Sequence, residues 1–290
     1  MFAITGAAGK VGFATCFALR QQNLPVTAIV RDPAKADRLR EIGCKIAVAD
    51  LHNANALAEA IAGADIVQAI IPPSPQASDG AQVMRDAIES LATALEQTNP
   101  NRLLAISDYG AHINHDIGMP TMCRAFEQRL GSIPSHKIIL RSAEHIENWS
   151  QGFPVAIASG NLASFHDPVD MKFPTISASD LGTIAADLLL RPIENNELEI
   201  VHAEGPFRYS ANDVATALSR LSGRSINAVP VPRSQWSEIL ERAMSPSLAV
   251  LLIKANDAQN EGGLVDLERH VGDVHYGTTP LINVLQAMLH

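Results

Sequence analysis

The chain begins with a short β-rich run, Phe2-Ala3-Ile4-Thr5, and passes at once into Gly6-Ala7-Ala8-Gly9-Lys10-Val11-Gly12. An apolar-faced helical pattern then continues to about Gln21. This corner constrains the fold more than any other feature. Gly6 permits a tight turn out of the strand, Gly9 lets backbone approach a ligand, and Gly12 lets the helix lie close to the strand. The first N–H groups of such a helix have no partner inside it and form its positive dipole end, so an anion is their natural occupant. The spacing is Gly-x-x-Gly-x-x-Gly rather than the commoner Gly-x-Gly-x-x-Gly. Glycines alone would make only a turn, but their place between a first strand and a helix points to a pyrophosphate cradle. Gly6, Ala8, Gly9, Lys10, Val11 and Gly12 are its candidate residues.

The following residues repeat the alternation. Strands are expected at Phe2–Thr5, Val26–Val30, Lys45–Ala49, Ile66–Ile71, Arg102–Ile106 and Lys137–Leu140, each apolar on both faces as in a parallel sheet covered on two sides. Between them helices are predicted at Pro33–Ile42, launched by Asp32-Pro33 and stopped by Gly43, at Asn53–Ala62, and from Asp79 or Gly80 to about Gln97. Beyond Trp149 prolines at 154, 168, 174, 192 and 206 break the chain into shorter elements. A helix is expected at Asp180–Leu190, a strand at Leu198–His202, helices at Ser210–Leu221 and Gln235–Met244, and extended chain at Ile226–Val231. The expected fold is α/β, a Rossmann-type doubly wound parallel sheet with a smaller C-terminal α+β lobe. Residues 1–147 form the dinucleotide-binding core, with 175–204 returning to it. Residues 148–174 and 205–290 form the lobe.

Composition narrows the function. Lys+Arg number 22 against 31 Asp+Glu, a net charge of −9, which argues against nucleic-acid or anionic-membrane partners. No apolar run approaches the roughly 18 residues of a membrane span. Cys16, Cys44 and Cys123 are odd in number and scattered, and no basic segment with an apolar stretch precedes the first strand, so a cytoplasmic protein without disulfides is expected. His112 and His115 have no third ligand identifiable in sequence, and Gly110, Gly118 and Pro120 suggest a mobile lid there. No metal is expected.

Cofactor choice is read where the second strand ends. An acidic residue there holds the ribose of NAD, whereas an arginine accommodates a 2′-phosphate. Arg31 occupies that place and Lys35 follows one turn on, while Asp32 is better used as a helix cap, so NADP(H) is the expected cofactor. Asp50 and Leu51 end the third strand near the adenine position, and Ile71, Pro72 and Pro73 flank the ribose.

Ile4 to Gly12, Val30 to Ala36, Ala49-Asp50, Ile139-Leu140-Arg141 with Glu147-Asn148-Trp149, Ala178 to Gly182, Leu221 to Arg224 and Gly277 to Leu281 together resemble the NmrA-like atypical short-chain dehydrogenase/reductases, close to the NAD(P)H:quinone oxidoreductase-like members. The resemblance implies a cleft between core and lobe and two alternative roles. One is an oxidoreductase reducing a small quinone-like electrophile; the other is a non-catalytic NADP(H)-binding redox sensor with a protein partner. A homodimer is a further open alternative.

Typical short-chain reductases use Tyr-x-x-x-Lys. The residues four after Tyr109, Tyr209 and Tyr276 are Ile113, Asp213 and Pro280, so the pair is absent, which also counts against an epimerase-like activity. The hydroxyls best placed at the sheet's carboxyl edge are Ser107 and Tyr109, the candidate catalytic residues, with Asn148 and Trp149 of the lobe facing substrate. In Cys123-Arg124-Ala125-Phe126-Glu127 a cysteine stands where quinone reductase-like relatives often carry a polar residue ahead of a glutamate.

Overall fold

A computed structural model describes residues 1–193 and 197–289. The core is an eight-stranded sheet made of β1 (Phe2–Ile4), β2 (Val26–Val30), β3 (Lys45–Val48), β4 (Ile66–Ala69), β5 (Arg102–Asp108), β6 (His136–Ser142), β10 (Leu198–Glu204) and β12 (Asp273–Tyr276). Two further pairs, β7 (Glu144–His145) with β9 (Thr175–Ile176) and β8 (Asn161–Ser164) with β11 (Asn227–Pro230), lie outside it. The main order is β12-β10-β6-β5-β4-β1-β2-β3 and every pairing in it is parallel. The chain reverses its direction of winding between β1 and β4, and ligands of such sheets bind at the carboxyl ends beside that reversal.

Helices α1 (Lys10–Gln21) and α7 (Ala178–Leu190) bury one face of the sheet with Ile4, Val26, Ala28, Val30, Leu104, Ile106 and Leu140. Helices α3 (Ala54–Ile61), α4 (Gly80–Thr98) and α5 (Met119–Leu130) bury the other with Ala3, Ile29, Val67, Leu103 and Ile139. Alternate residues of each strand thus enter opposite cores, which is why these strands read as apolar throughout. The sheet expected from that pattern is present, with β5 and β6 reaching two residues further at their carboxyl ends.

Other details differ. The helix expected over Pro33–Ile42 is a 3-10 turn, Pro33–Lys35, followed by α2 (Asp37–Glu41). Ala36 leaves helical geometry at φ −99°, ψ 0°, and Asp37 restarts the helix with Arg40 bonded back to it at 2.6 Å. Of the segment marked by Gly110, Gly118 and Pro120, only Pro120 falls in a helix, α5, because Pro120 suits a first helical turn and Met122, Phe126 and Leu130 supply a buried stripe.

The lobe packs α6 (Phe153–Ser159), α8 (Ala211–Ser222) and α11 (Leu281–Leu289) with the β8–β11 pair around Ile146, Phe153, Leu162, Val214, Leu218 and Leu285. It does not contain all of 205–290, as the sequence suggests. β12 joins the main sheet beside β10, and α10 (Pro246–Gly262), which follows the short α9 (Trp236–Glu241), lies against the core. Leu248 enters the cluster under α4, and the Ser245 hydroxyl accepts the Gly80 N–H at 2.9 Å. β12 reads Asp-Val-His-Tyr, too polar to announce itself, and it is tolerated because it is an edge strand.

Helices α1 and α7 approach so closely that a Cβ on Gly182 would lie 2.5 Å from both the Ala14 Cβ and the Val11 carbonyl oxygen. Gly182→Val is expected to destabilise the protein by about 1–3 kcal/mol through overpacking, read as a lowered Tm.

Candidate functional site

The corner between β1 and α1 is built as its glycines require. Gly6 adopts φ +62°, and a Cβ there would sit 2.7 Å from the Ile70 side chain. A Cβ on Gly12 would fall 2.4 Å from the Gly6 carbonyl oxygen, so that glycine is fixed by backbone contact. Gly9 is different. It is exposed, and its Cβ would meet only the Gly6 oxygen, at 3.2 Å. The turn is closed by the Gly9 N–H donating to Gly6 O at 2.9 Å.

Gly9 also caps α1 with no side chain to accept the first N–H groups, and the first turn holds no acidic residue. By contrast, the starts of α3, α4, α7 and α8 are capped by Asn53, Asp79, Ser177 and Ser210. Val11 and Gly12 are buried, so they offer backbone, whereas Ala8 and Lys10 are exposed beside the turn. A bare, open helix N-terminus with a lysine beside it fits a diphosphate.

At the end of β2, Arg31 is exposed and makes no hydrogen bond or ion pair among the described residues, while Asp32 accepts from the Ala34 N–H at 3.0 Å as a cap. Lys35 is exposed one turn on. Asp50 is engaged by His52, whose backbone N–H and Nδ1 lie 2.9 and 2.7 Å from Oδ1; those bonds, followed by the charges of His52 and Arg31, hold its carboxyl below the ordinary range. Leu51 and Ile71 are half-buried against the α3–α4 core, and Pro72 and Pro73 are exposed on the loop after β4.

The hydroxyls of Ser107 and Tyr109 are both committed elsewhere. Ser107 is buried and donates to Glu127 at 2.5 Å; Glu127 in turn receives Arg141 through two bonds of 2.9 and 2.7 Å, and Arg141 reaches Glu268 at 2.5 Å. Tyr109 is fully buried, its hydroxyl lies 3.4 Å from Glu204, and its ring meets His202 edge-on at 5.6 Å. Burial, then the charges of Glu204 and Asp266, push its phenol well above the ordinary range. A phenol so placed is part of the core. In the lobe, Asn148 is exposed and Trp149 is half-buried, stacked at 6.4 Å on Phe173 and at 5.9 Å from His166. The neighbouring Glu147 accepts the Ala178 N–H with both oxygens, at 3.0 and 3.1 Å, tying the lobe to α7.

Three groups that sequence reasoning passed over stand at the same edge: Asp108 ending β5, Glu144 in β7, and His166, whose Nε2 is 3.2 Å from Glu144. Among the described residues no cluster of His, Cys, Asp or Glu is arranged to hold a metal ion, and no helix is long and apolar enough to cross a membrane.

Residues 6–130 match a family model described as NAD(P)H-binding. The matched segment begins at Gly6, the first glycine of the corner between β1 and α1. The whole chain is similar to an NAD(P)H azoreductase of Xenophilus azovorans, 26% identical over 263 residues, 90% of this chain and 85% of that one. It is also similar to quinone oxidoreductase 2 of Escherichia coli strain K12, 23% identical over 270 residues, 92% and 90% of the two chains. A solved NADPH-dependent quinone oxidoreductase from Escherichia coli, complexed with NADPH, superposes with TM-score 0.79 at 21% identity over 100% of both chains. The quinone oxidoreductase-like resemblance is met by these relatives, and the segment that matches the family model carries the glycine corner at its start.

Gly9→Val is expected to abolish NADPH binding while leaving Tm nearly unchanged, whereas Gly12→Val should lower Tm as well; fluorescence titration and thermal melts distinguish them. Tyr109→Phe should keep its turnover and lose about 1 kcal/mol of stability, with the Glu204 contact removed.

Proposed function

We propose that the chain is an NADPH-dependent reductase that delivers hydride to a small, planar conjugated electrophile of the quinone or azo class, in the cytoplasm. The observation that carries the reading is the uncapped start of α1 with the unpaired Arg31 beside it. Backbone N–H groups of the cradle hold the diphosphate, with Lys10 alongside. Arg31, helped by Lys35, takes the 2′-phosphate through a charge-assisted contact. The Ile71-Pro72-Pro73 loop borders the ribose. The bound dinucleotide supplies hydride, which is the hard chemistry. Trp149 offers a flat apolar surface to a planar acceptor, and Asn148 a polar rim.

The acceptor class draws support from the two curated relatives, named for azo and quinone reduction, each aligned over most of its length. The absent Tyr-x-x-x-Lys pair also fits acceptors that carry their own conjugation, since hydride addition to them leaves a stabilised anion. Saturable NADPH binding with turnover of a quinone or azo dye is the expected result. Tight binding without oxidation of NADPH across such a panel would contradict the reductase reading and favour a sensor.

Arg31→Asp is expected to weaken NADPH by roughly 1.5–3 kcal/mol or more while changing NADH little, because it deletes a charge-assisted bond and adds repulsion. Equal losses for both cofactors would show that Arg31 does not discriminate.

A further inference from the structure

NADPH carries more negative charge than NADH, and the difference sits in one group. The 2′-phosphate adds roughly 1.5–2 negative charges near neutral pH to the two of the diphosphate. The chain itself has a net charge of −9, so binding such an anion requires a local surplus of cations. One exists where the start of α1 meets the segment after β2. Lys10, Arg31, Lys35 and Arg38 are all exposed there, and none of these side chains makes a hydrogen bond or an ion pair among the described residues. The acids of the same stretch are held by other groups. Asp32 accepts the Ala34 N–H at 3.0 Å, Asp37 takes Arg40 at 2.6 Å, and Asp50 takes His52 at 2.7 Å. Glu41, three residues along α2 from Arg38, forms no ion pair with it.

Arg38 is exposed but held. Its Cζ lies 4.1 Å from the centroid of the Phe13 ring, and Phe13 stacks in turn on Phe17 at 6.3 Å. Phe13 is the fourth residue of α1, and its N–H donates to the carbonyl of the capping Gly9 at 2.8 Å. The ring thus stands on the first turn of the cradle helix, and the guanidinium resting on it stands beside that turn. On its other side, Arg40 of α2 donates to the Pro33 carbonyl at 3.2 Å, which folds α2 back toward the end of β2, two residues past Arg31. A guanidinium lying over an aromatic face is attracted to the ring and keeps its N–H edges free for an anion.

Resting on the placement of the 2′-phosphate at Arg31, we propose that Arg38, held on the Phe13 ring, is a second guanidinium of that phosphate site and sets the preference for NADPH over NADH together with Arg31. Phe13 is its positioning residue. The ring keeps a long side chain from spreading into solvent, so less freedom is lost when the phosphate arrives. The contribution falls on NADPH alone, because NADH presents a neutral hydroxyl at the same place. A contact that merely tied α2 to α1 would act on stability and leave the choice of cofactor untouched.

Fluorescence titrations with NADPH and with NADH, run beside thermal melts, separate the two roles. Arg38→Gln is expected to weaken NADPH by about threefold or more while NADH changes by less than about twofold. Lys45→Gln makes the same charge change at the start of β3, the opposite end of the sheet from the cradle, and should leave both affinities within about twofold. Phe13→Leu should weaken NADPH by less than Arg38→Gln does, and should add nothing once Arg38→Gln is present. A smaller NADPH loss in Arg38→Gln, an equal loss for NADH, or a matching loss in Lys45→Gln would overturn the assignment. A Phe13→Leu loss that persists in the Arg38→Gln background would overturn the positioning role of the ring. Should Arg31→Asp abolish the preference for NADPH and Arg38→Gln leave it intact, the phosphate site stands without Arg38. A wild type that binds NADPH no more tightly than NADH would overturn both.

Discussion

The structure depends on one helix start that provides no acceptor for itself. At α1 the capping position is a glycine, the first turn is free of acids, and the N–H groups emerge beside an exposed lysine. Three other helices of the same sheet, α3, α4 and α7, close their starts with asparagine, aspartate and serine. The same segment is held from behind, where Gly12 rests on the turn backbone and Gly182 of α7 meets Val11 and Ala14. The cradle is thus rigid where it contacts protein and bare where it faces solvent, which is the arrangement preorganised anion binding needs.

A second constraint ties the carboxyl ends of β6 and β10 to the rest of the chain. Arg141 bridges Glu127 and Glu268, and Arg208 bridges Glu204 and Asp266, with bonds of 2.5 to 3.1 Å. These pairs join β6, β10 and α5 to the segment at 266–268. Buried pairs contribute little net stability, since desolvation offsets attraction, but breaking one leaves a charge stranded. Their value here is positional. By accepting the Ser107 hydroxyl, Glu127 also fixes that side chain at the end of β5.

What can be read in the sequence is local. The glycine corner declares itself because turn, anion site and helix start lie within seven residues, and β2, β4 and β5 do so through short aliphatic-rich runs. Asp32 is legible as a cap because Pro33 follows it. What depends on distant contacts is hidden. The fate of Tyr109 is decided by Glu204, 95 residues away, and that of Arg141 by Glu268, 127 residues away. β12 offers one aliphatic residue and gains its place only by pairing with β10. α10 is visible only as an apolar run, and nothing local says that it returns to the core.

The proposed function makes the first-turn amides of α1 the groups that would receive the cofactor diphosphate. Hydrogen–deuterium exchange of the Lys10 to Gly12 backbone, measured with and without NADPH, reads this directly. Strong protection centred on those amides is the predicted result. Protection that leaves them unchanged while appearing elsewhere would contradict it.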